Sequence, residues 1–320
     1  MIEIGYTAAA EGAVFFKQTQ MGMLSIRGED RRDFLQRQTT YDMADLGKDN
    51  APMNVLTSPT ARIIEVFQMI ERQDAIELVT LGRPGSNAYE FLKSKIFFMD
   101  KVEVIDRSHE VTIIDVEGPN GEEILSKIEA DQKMEDEEWR ETNLNGTRAT
   151  VIKQGGLTGE FGYRLIVPKE SEGKVTAQLE DLGMVELGED AFEVIRVEAG
   201  SPMGGNELNE AYTPLEIGLM NAISDNKGCY TGQEVIARQI SYDKITKRLA
   251  RIEMDEGAEQ GSEIRVDDKK IGVITSAVSS PRFGALALGV VKLPFDEPGT
   301  QLLIRHNEKL IKGRVQNALR

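Results

Sequence analysis

The most distinctive residue of the sequence is Cys229, the only cysteine among 320 residues. It lies in the segment Lys-Gly-Cys-Tyr-Thr-Gly-Gln-Glu, residues 227–234. Thr231 and Glu234 have the spacing of a capping box, which predicts that a helix begins just after the cysteine. The positive end of that helix and the charge of Lys227 both favour the thiolate, so Cys229 and Lys227 are candidate catalytic residues. A small buried hydrophobe beside turn glycines is an equally good interpretation of the cysteine.

A second candidate site lies in the glycine-rich segment 155–163, in which Glu160 follows Gly159. Glycine permits positive φ and close approach of a ligand to the backbone. A carboxylate in such a turn can accept two parallel hydrogen bonds from a ligand with paired N–H donors, as on the edge of a pterin ring. The segment matches neither a P-loop nor a dinucleotide-binding motif. From the residues alone, a tight hairpin turn with a solvated Glu160 is the favoured alternative.

The segment 196–204 has the pattern of a helix end. Arg196 and Glu198 would lie in the last turn, and Gly200 would follow as a cap. By itself this pattern indicates no function.

The chain is acidic, with a formal net charge of −16, which disfavours general nucleic-acid binding. Cations are nevertheless frequent just after the cysteine segment. They are Arg238, Lys244, Lys247, Arg248 and Arg251. We interpret them first as a solvated helix and strand surface. The alternative is a contact for an anionic ligand tail or an acidic partner.

One cysteine and two histidines limit the chemistry that this chain can build alone. An internal disulfide and a self-contained four-cysteine zinc or iron–sulfur site are excluded, and we expect no metal site. A reduced, cytoplasmic setting is favoured. Residues 1–5 show no signal-peptide pattern, and no apolar run approaches the ~18 residues that span a bilayer, so we expect no membrane association.

The elements around these segments predict an α+β protein. Residues 1–110 and again 111–200 alternate short strands with helices, which predicts a two-lobed body over residues 1–245, with lobes of roughly 1–110 and 111–245. From 246 to 320, short strands follow one another with glycine and proline turns between them. Such a run is typical of a small all-β barrel or sandwich.

Together and in this order, these segments resemble the folate-binding superfamily that includes the T-protein (aminomethyltransferase) of the glycine cleavage system. The resemblance is carried by residues 34–35 with 39–40, by 159–163, by 196–200 and by 214–219. Residues 227–234 resemble more narrowly the YgfZ-type branch, which is linked to assembly or repair of iron–sulfur clusters in other enzymes. Through those enzymes the branch is linked to tRNA modification.

The resemblance implies three domains in a ring around a central folate site, the last of them a β-barrel. It implies that Glu160, with Gly159 and Tyr163 beside it, engages the pterin edge, and that Arg196 lies near the folate. We therefore expect tetrahydrofolate as cofactor and Cys229 beside the folate cavity. The expected partners are iron–sulfur enzymes or cluster carrier proteins.

One departure from the family pattern concerns residues 61–66. In the aminomethyltransferases this segment ends in two aspartates, and the second is the acidic group at the reacting folate nitrogen. This chain has Glu65 and Val66 there, and valine cannot move a proton. Leu157 likewise replaces a tyrosine.

The sequence therefore predicts a tetrahydrofolate-binding accessory protein for iron–sulfur cluster assembly or repair, with Cys229 as its functional thiol. A folate-dependent aminomethyltransferase or demethylase is the alternative. A fold that binds no ligand and serves as an interaction module is the third possibility.

Overall fold

The computed structural model describes residues 2–82, 87–127, 134–158, 161–242 and 244–318. The strands are β1 Val14–Lys17, β2 Gly22–Arg27, β3 Met53–Thr57, β4 Ile63–Glu71, β5 Ala75–Thr80, β6 Glu103–Asp106, β7 Val111–Glu117, β8 Trp139–Leu144, β9 Thr147–Gly155, β10 Phe161–Pro168, β11 Val185–Glu186, β12 Lys247–Met254, β13 Glu263–Val266, β14 Lys269–Ser280, β15 Gly284–Lys292, β16 Gln301–His306 and β17 Lys309–Ala318. The helices are α1 Ile2–Glu11, α2 Arg31–Gln38, α3 Ala88–Ser94, α4 Gly121–Ser126, α5 Glu172–Asp181, α6 Glu189–Ala199 and α7 Gln233–Ser241. Within these described ranges, no helix is long and apolar enough to cross a membrane.

The first sheet has five antiparallel strands in the order β3-β4-β5-β2-β6. Successive side chains of a strand point to opposite faces. Phe67 and Met69 of β4 therefore pack with Phe34 of α2 in one buried apolar cluster. Val66 and Gln68 of the same strand lie on the other face, toward the second sheet and the barrel. Because of this alternation, Gln68 of β4 lines the cavity described below, while Phe67 and Met69 do not.

The second sheet has six strands in the order β11-β1-β7-β10-β9-β8. Strand β1 pairs antiparallel with β7 and parallel with β11, and α1 packs on α6. The ring of Phe16 in β1 stacks on Phe192 in α6 with their centroids 4.0 Å apart. Residues 2–17 thus pack with the second sheet although they precede the first in sequence. A division of the body near residue 110 stays a prediction.

The last six strands close into a barrel in the order β12-β15-β14-β13-β16-β17. Every neighbouring pair in it is antiparallel. Its interior is filled by aliphatic side chains such as Ile252, Ile274 and Ile304. The predicted α+β class with a C-terminal all-β barrel is confirmed, and the sandwich alternative is wrong.

The predicted capping box at Thr231 is wrong. Helix α7 begins at Gln233 after Gly232, whose φ of 87° is left-handed, and no side chain caps it. A Cβ on Gly232 would lie 2.7 Å from the carbonyl oxygen of Ser58, so the chain turns through a glycine here. Thr231 instead donates its backbone N–H to the carbonyl oxygen of Arg37, at 3.3 Å. These contacts fix the cysteine segment on the first sheet.

Candidate functional site

A cavity of about 260 Å³ lies where the central faces of the two sheets meet α6. Gln68 reaches it from the first sheet, Asp115 and Glu117 from the second, and Arg196 from α6. Leu157, from the glycine-rich segment, also lines it. The cavity is therefore lined by both polar and apolar side chains, a combination that suits a flat heterocycle with several hydrogen-bonding atoms.

The floor of this cavity is a buried ion pair. Arg164 donates two parallel hydrogen bonds to Asp115, of 2.8 and 2.9 Å. The amide of Gln18 donates to the same carboxylate at 2.6 Å, and Arg164 also donates to Gln68 at 3.3 Å. Since β4 supplies Gln68 and β7 supplies Asp115, this network joins the two sheets. Its charges cancel, so it offers a ligand fixed dipoles rather than a free ion.

Glu117 is the least expected polar group of the cavity. Its side chain is 3% exposed, and its Oε2 accepts a hydrogen bond of 2.8 Å from the backbone N–H of Leu157. Burial raises the pKa of Glu117 to about 8, and the negative charge of Asp115 also raises it. At neutral pH this carboxyl group is mainly a neutral acid, which can donate a hydrogen bond or a proton.

Glu117 was not singled out from the sequence. A signal was present: Asp115 and Glu117 are two residues apart in a buried strand whose other residues are apolar except for Thr112, so they share one face of the sheet. Burying two acids on such a face without hydrogen-bond partners costs much free energy, so the pair indicates that partners or a ligand are bound there.

Arg196 lines the cavity wall, but it is 1% exposed and fully engaged, and its predicted position near the folate stays a prediction. Its guanidinium pairs with Glu193 and donates to the carbonyl oxygen of Ser201 at 3.0 Å. It also donates to the hydroxyl of Ser276 in the barrel at 2.7 Å and to Glu207 at 3.4 Å. Arg196 therefore ties α6 to the barrel and shapes the wall of the cavity.

Of the three other predicted ligand-binding residues, the structure describes only Tyr163. Gly159 and Glu160 lie outside the described residues. Tyr163 is buried in the core of the second sheet with Val116 and Leu165, and is not among the described residues that line the cavity. The β10 residue that lines the cavity is Arg164, and Gly162 of the same strand lies beside Glu117.

At the position where the resemblance places a catalytic acid, Val66 is fully buried in an apolar cluster with Val55 and Val197. Glu65 points to the opposite face of β4. Its Oε1 accepts hydrogen bonds from the backbone N–H groups of Val66, at 2.9 Å, and Gly82, at 2.7 Å. Neither residue at this position therefore presents a carboxylate to the cavity.

The predicted catalytic pair occupies a loop on the first sheet. Cys229 is exposed, so the interpretation of a buried hydrophobe is wrong. Lys227 is buried, and its ammonium donates to the carbonyl oxygens of Thr39, at 2.7 Å, and Tyr41, at 2.6 Å. Burial lowers the pKa of Lys227 to about 8. Its hydrogen bonds anchor the loop, while the thiol faces solvent.

Cys229 and the cavity are separate. Cys229 is not among the described residues that line the cavity, so the expected position beside it is not supported. The segment after it packs against Ser58, just beyond the end of β3. The cavity instead reaches Met53, at the start of β3, which pairs with Gln68. The two candidate sites thus approach opposite ends of the same strand.

The whole fold is similar to that of glycine cleavage system aminomethyltransferase T from Bartonella henselae. The TM-score is 0.85 at 19% sequence identity, over 99% of this chain and 88% of that one. At this identity the likeness defines the fold alone: a body of two sheets followed by a C-terminal barrel.

Family models match nearly the whole chain. Residues 2–227 match the GCVT N-terminal domain, and residues 247–318 match the glycine cleavage T-protein C-terminal barrel domain. The chain belongs to the glycine cleavage T-protein family.

Individual relatives carry different names. A putative chloroplastic transferase of Arabidopsis thaliana is 32% identical over 284 residues, which are 88% of this chain but only 66% of the plant protein. Aminomethyltransferases of Oceanobacillus iheyensis and Listeria monocytogenes are 26% and 25% identical, over 95% and 98% of this chain and 85% and 88% of theirs.

Proposed function

We propose that this protein binds tetrahydrofolate in the central cavity and acts as an accessory protein for assembly or repair of iron–sulfur clusters in other enzymes. The observation that carries the proposal is the environment of Val66. The polar cavity is present, while the position of the family's acid is occupied by an aliphatic side chain inside an apolar cluster. A site of this kind is suited to bind the cofactor without moving a proton at that position.

The residues of the cavity fit a reduced pterin. Glu117 would supply a neutral acid, Gln68 an amide and Leu157 an apolar side chain. Glu160 would add a carboxylate for the paired N–H donors. Tetrahydrofolate, when bound, supplies a carrier for one-carbon groups.

The accessory role rests on Cys229 and on the resemblance of its segment to the YgfZ-type branch. The thiol is exposed, so a partner protein can reach it. One thiolate cannot hold a cluster alone, and a partner must supply the remaining ligands. Cluster carriers and cluster-containing enzymes, including those that modify tRNA, are the proposed partners. A cytoplasmic location stays a prediction, since one relative is named chloroplastic.

Two measurements test the proposal. Anaerobic titration with tetrahydrofolate should give a Kd well below millimolar. A millimolar Kd corresponds to a binding free energy of about −4 kcal/mol. A Kd weaker than millimolar would favour an interaction module. In cells that lack the native protein, Cys229→Ala should lower the activity of iron–sulfur enzymes, and Asn226→Ala, an exposed change in the same loop, should not. Equal activities in both variants would exclude Cys229 from the function.

One observation favours the alternative, a one-carbon transferase or demethylase. Glu117 is a buried acid in the cavity, and its raised pKa lets it carry a proton at neutral pH. If it replaces the acid missing at Val66, purified protein with tetrahydrofolate and a methylated amine should form one-carbon folates at enzymatic rates. Glu117→Gln should abolish that reaction. Absence of product from the wild type would leave the accessory role.

A further inference from the structure

A second cavity, of about 290 Å³, lies between α1, the end of α6 and the turn that joins β14 to β15. Arg251 of β12 and Arg282 of the turn both line it. Their guanidinium carbons lie 5.4 and 4.9 Å from the centroid of the Phe283 ring. The two cations therefore share one aromatic side chain at the cavity wall.

Neither arginine has a carboxylate partner in the part of the chain that the structure describes. Arg251 donates one hydrogen bond, to the backbone carbonyl oxygen of Glu198, and its buried Nε has no partner among the described residues. The guanidinium of Arg282 makes no hydrogen bond to any described residue, and its side chain is exposed. Burial lowers the pKa of Arg251, and the charge of Arg282 lowers it further, while the nearby charge of Glu198 only partly offsets this.

Among the described residues that line this cavity, the one acid is Glu198, and it is already hydrogen-bonded. Both oxygens of Glu198 accept from the hydroxyl of Tyr6, at 2.9 Å, and one also accepts from Ser280 at 2.5 Å. Burial and this carboxylate raise the pKa of Tyr6 to about 12, so the phenol keeps its proton and stays a donor. In a chain with a net charge of −16, the cavity thus keeps two cations whose donors are available to a ligand.

The second cavity adjoins the first. Leu157 lines both, and α6 gives Arg196 to one and Glu198 to the other. The first cavity, about 260 Å³, is smaller than the roughly 300–1,000 Å³ that encloses most of a drug-sized ligand. A ligand the size of tetrahydrofolate, held there by its ring, must continue into neighbouring space. The wall at Leu157 leads toward the two arginines.

We propose that Arg251 and Arg282 form a carboxylate-binding site next to the central cavity. A planar carboxylate matches the fork of a guanidinium, while a doubly charged phosphate would meet stronger repulsion from Glu198. The carboxylate belongs either to the tail of the ligand in the first cavity or to a separate small carboxylic acid. The first source rests on the proposed binding of tetrahydrofolate.

The test uses three ligands with the full-length protein: tetrahydrofolate, 6-methyltetrahydropterin, which has the ring without the tail, and 4-aminobenzoyl-glutamate, which is the tail alone. Arg282→Ala is the main variant because the side chain is exposed and its loss should not disturb folding. Arg305→Ala, at another exposed arginine of the barrel, is the matched control. We expect Arg282→Ala to weaken tetrahydrofolate binding on the order of tenfold and to leave binding of the tail-less pterin unchanged.

Each result has one meaning. Weaker binding of 4-aminobenzoyl-glutamate to Arg282→Ala, with unchanged tetrahydrofolate affinity, would support the site with a separate carboxylic acid as its ligand. Equal affinities of wild type and Arg282→Ala for all three ligands would overturn the carboxylate site and leave the central cavity intact. If wild type binds neither tetrahydrofolate nor the pterin, the proposed function fails. The carboxylate site is then tested by 4-aminobenzoyl-glutamate alone, which should bind wild type more tightly than Arg282→Ala.

Discussion

Gly162 of β10 lies directly against the carboxyl group of Glu117 in β7. A Cβ at residue 162 would be 2.7 Å from Oε1 and 3.1 Å from Oε2. Because Gly162 has no side chain, the carboxyl group of Glu117 fits into the space that a Cβ would fill. This pairing gives Gly162 of the glycine-rich motif a role that does not depend on a bound ligand.

Gly162→Ala is expected to destabilise the protein by about 1–3 kcal/mol, because the new methyl group must displace a buried carboxyl group. Chemical denaturation measures the change in the free energy of unfolding. Gly173→Ala is the control: it lies in α5 with nothing within 4 Å of an added Cβ, and alanine there should stabilise by about 0.5–1 kcal/mol. Equal effects of the two substitutions would argue against the close packing at Gly162.

Glu117→Gln tests the state of the buried acid through pH. Because its pKa is raised from 4.5 to about 8, the folded protein holds a proton between these values that the unfolded chain has released. The contribution of Glu117 to stability is complete below pH 4.5 and is lost as the pH rises through about 8. The stability of wild type relative to Glu117→Gln should therefore fall by about 1 kcal/mol per pH unit across this window and level off above it.

Denaturation curves of both proteins at intervals from pH 4.5 to 9 give this difference, and other titrating groups cancel in it. A difference that stays constant with pH would mean that Glu117 is ionised in the folded protein. In that case it could not act as a donor toward a bound heterocycle.

Local patterns were enough for much of the fold. The short strands after residue 246, separated by Gly261, Pro281 and Pro298-Gly299, could be recognised as a β unit because each turn lies beside its strand in sequence. Placing β1 was different. Its partners, residues 114–117 and 185–186, are more than 90 residues away, and an apolar run of four residues does not specify which strand it will join.

The site shows the same division. Arg196 could be proposed as a site residue through the family pattern, whereas Glu117 was not recognised from the sequence. Only the approach of Leu157 and Gly162 makes it a buried acid. The separation of Cys229 from the cavity also depends on tertiary packing, because sequence order does not give the distance between a loop and the far end of β3.

Disruption of the floor of the cavity should be costly. Arg164→Met leaves Asp115 buried without its main counter-ion, and we expect a loss of about 3–5 kcal/mol. Arg314→Met removes an exposed barrel pair with Glu253 and should cost no more than about 1 kcal/mol. Thermal or denaturant unfolding distinguishes the two. A small loss in Arg164→Met would indicate that water, rather than Arg164, solvates Asp115.

Lys227 and Cys229 can be tested together because the buried ammonium holds the exposed thiol in place. Lys227→Met keeps the length of the side chain but removes the donors to Thr39 and Tyr41, so we expect a loss of about 1–3 kcal/mol at pH 7. Lys312→Met, at an exposed lysine of β17, is the control and should change stability by less than about 0.5 kcal/mol. In the folded wild type, Cys229 should react completely with a thiol reagent without denaturant.

The stability of wild type relative to Lys227→Met should change with pH in the opposite direction to its stability relative to Glu117→Gln. Burial lowers the pKa of Lys227 from 10.5 to about 8, so between these values the unfolded chain binds a proton that the folded protein has released. The stability of wild type relative to Lys227→Met should therefore rise as the pH goes from about 8 to 10.5. A relative stability that is flat over this range would show that the lysine keeps its charge in the folded protein. The two carbonyl oxygens would then be enough to solvate the ammonium, and the hydrogen bonds that anchor the cysteine loop would stay charge-assisted up to the ordinary lysine pKa of 10.5.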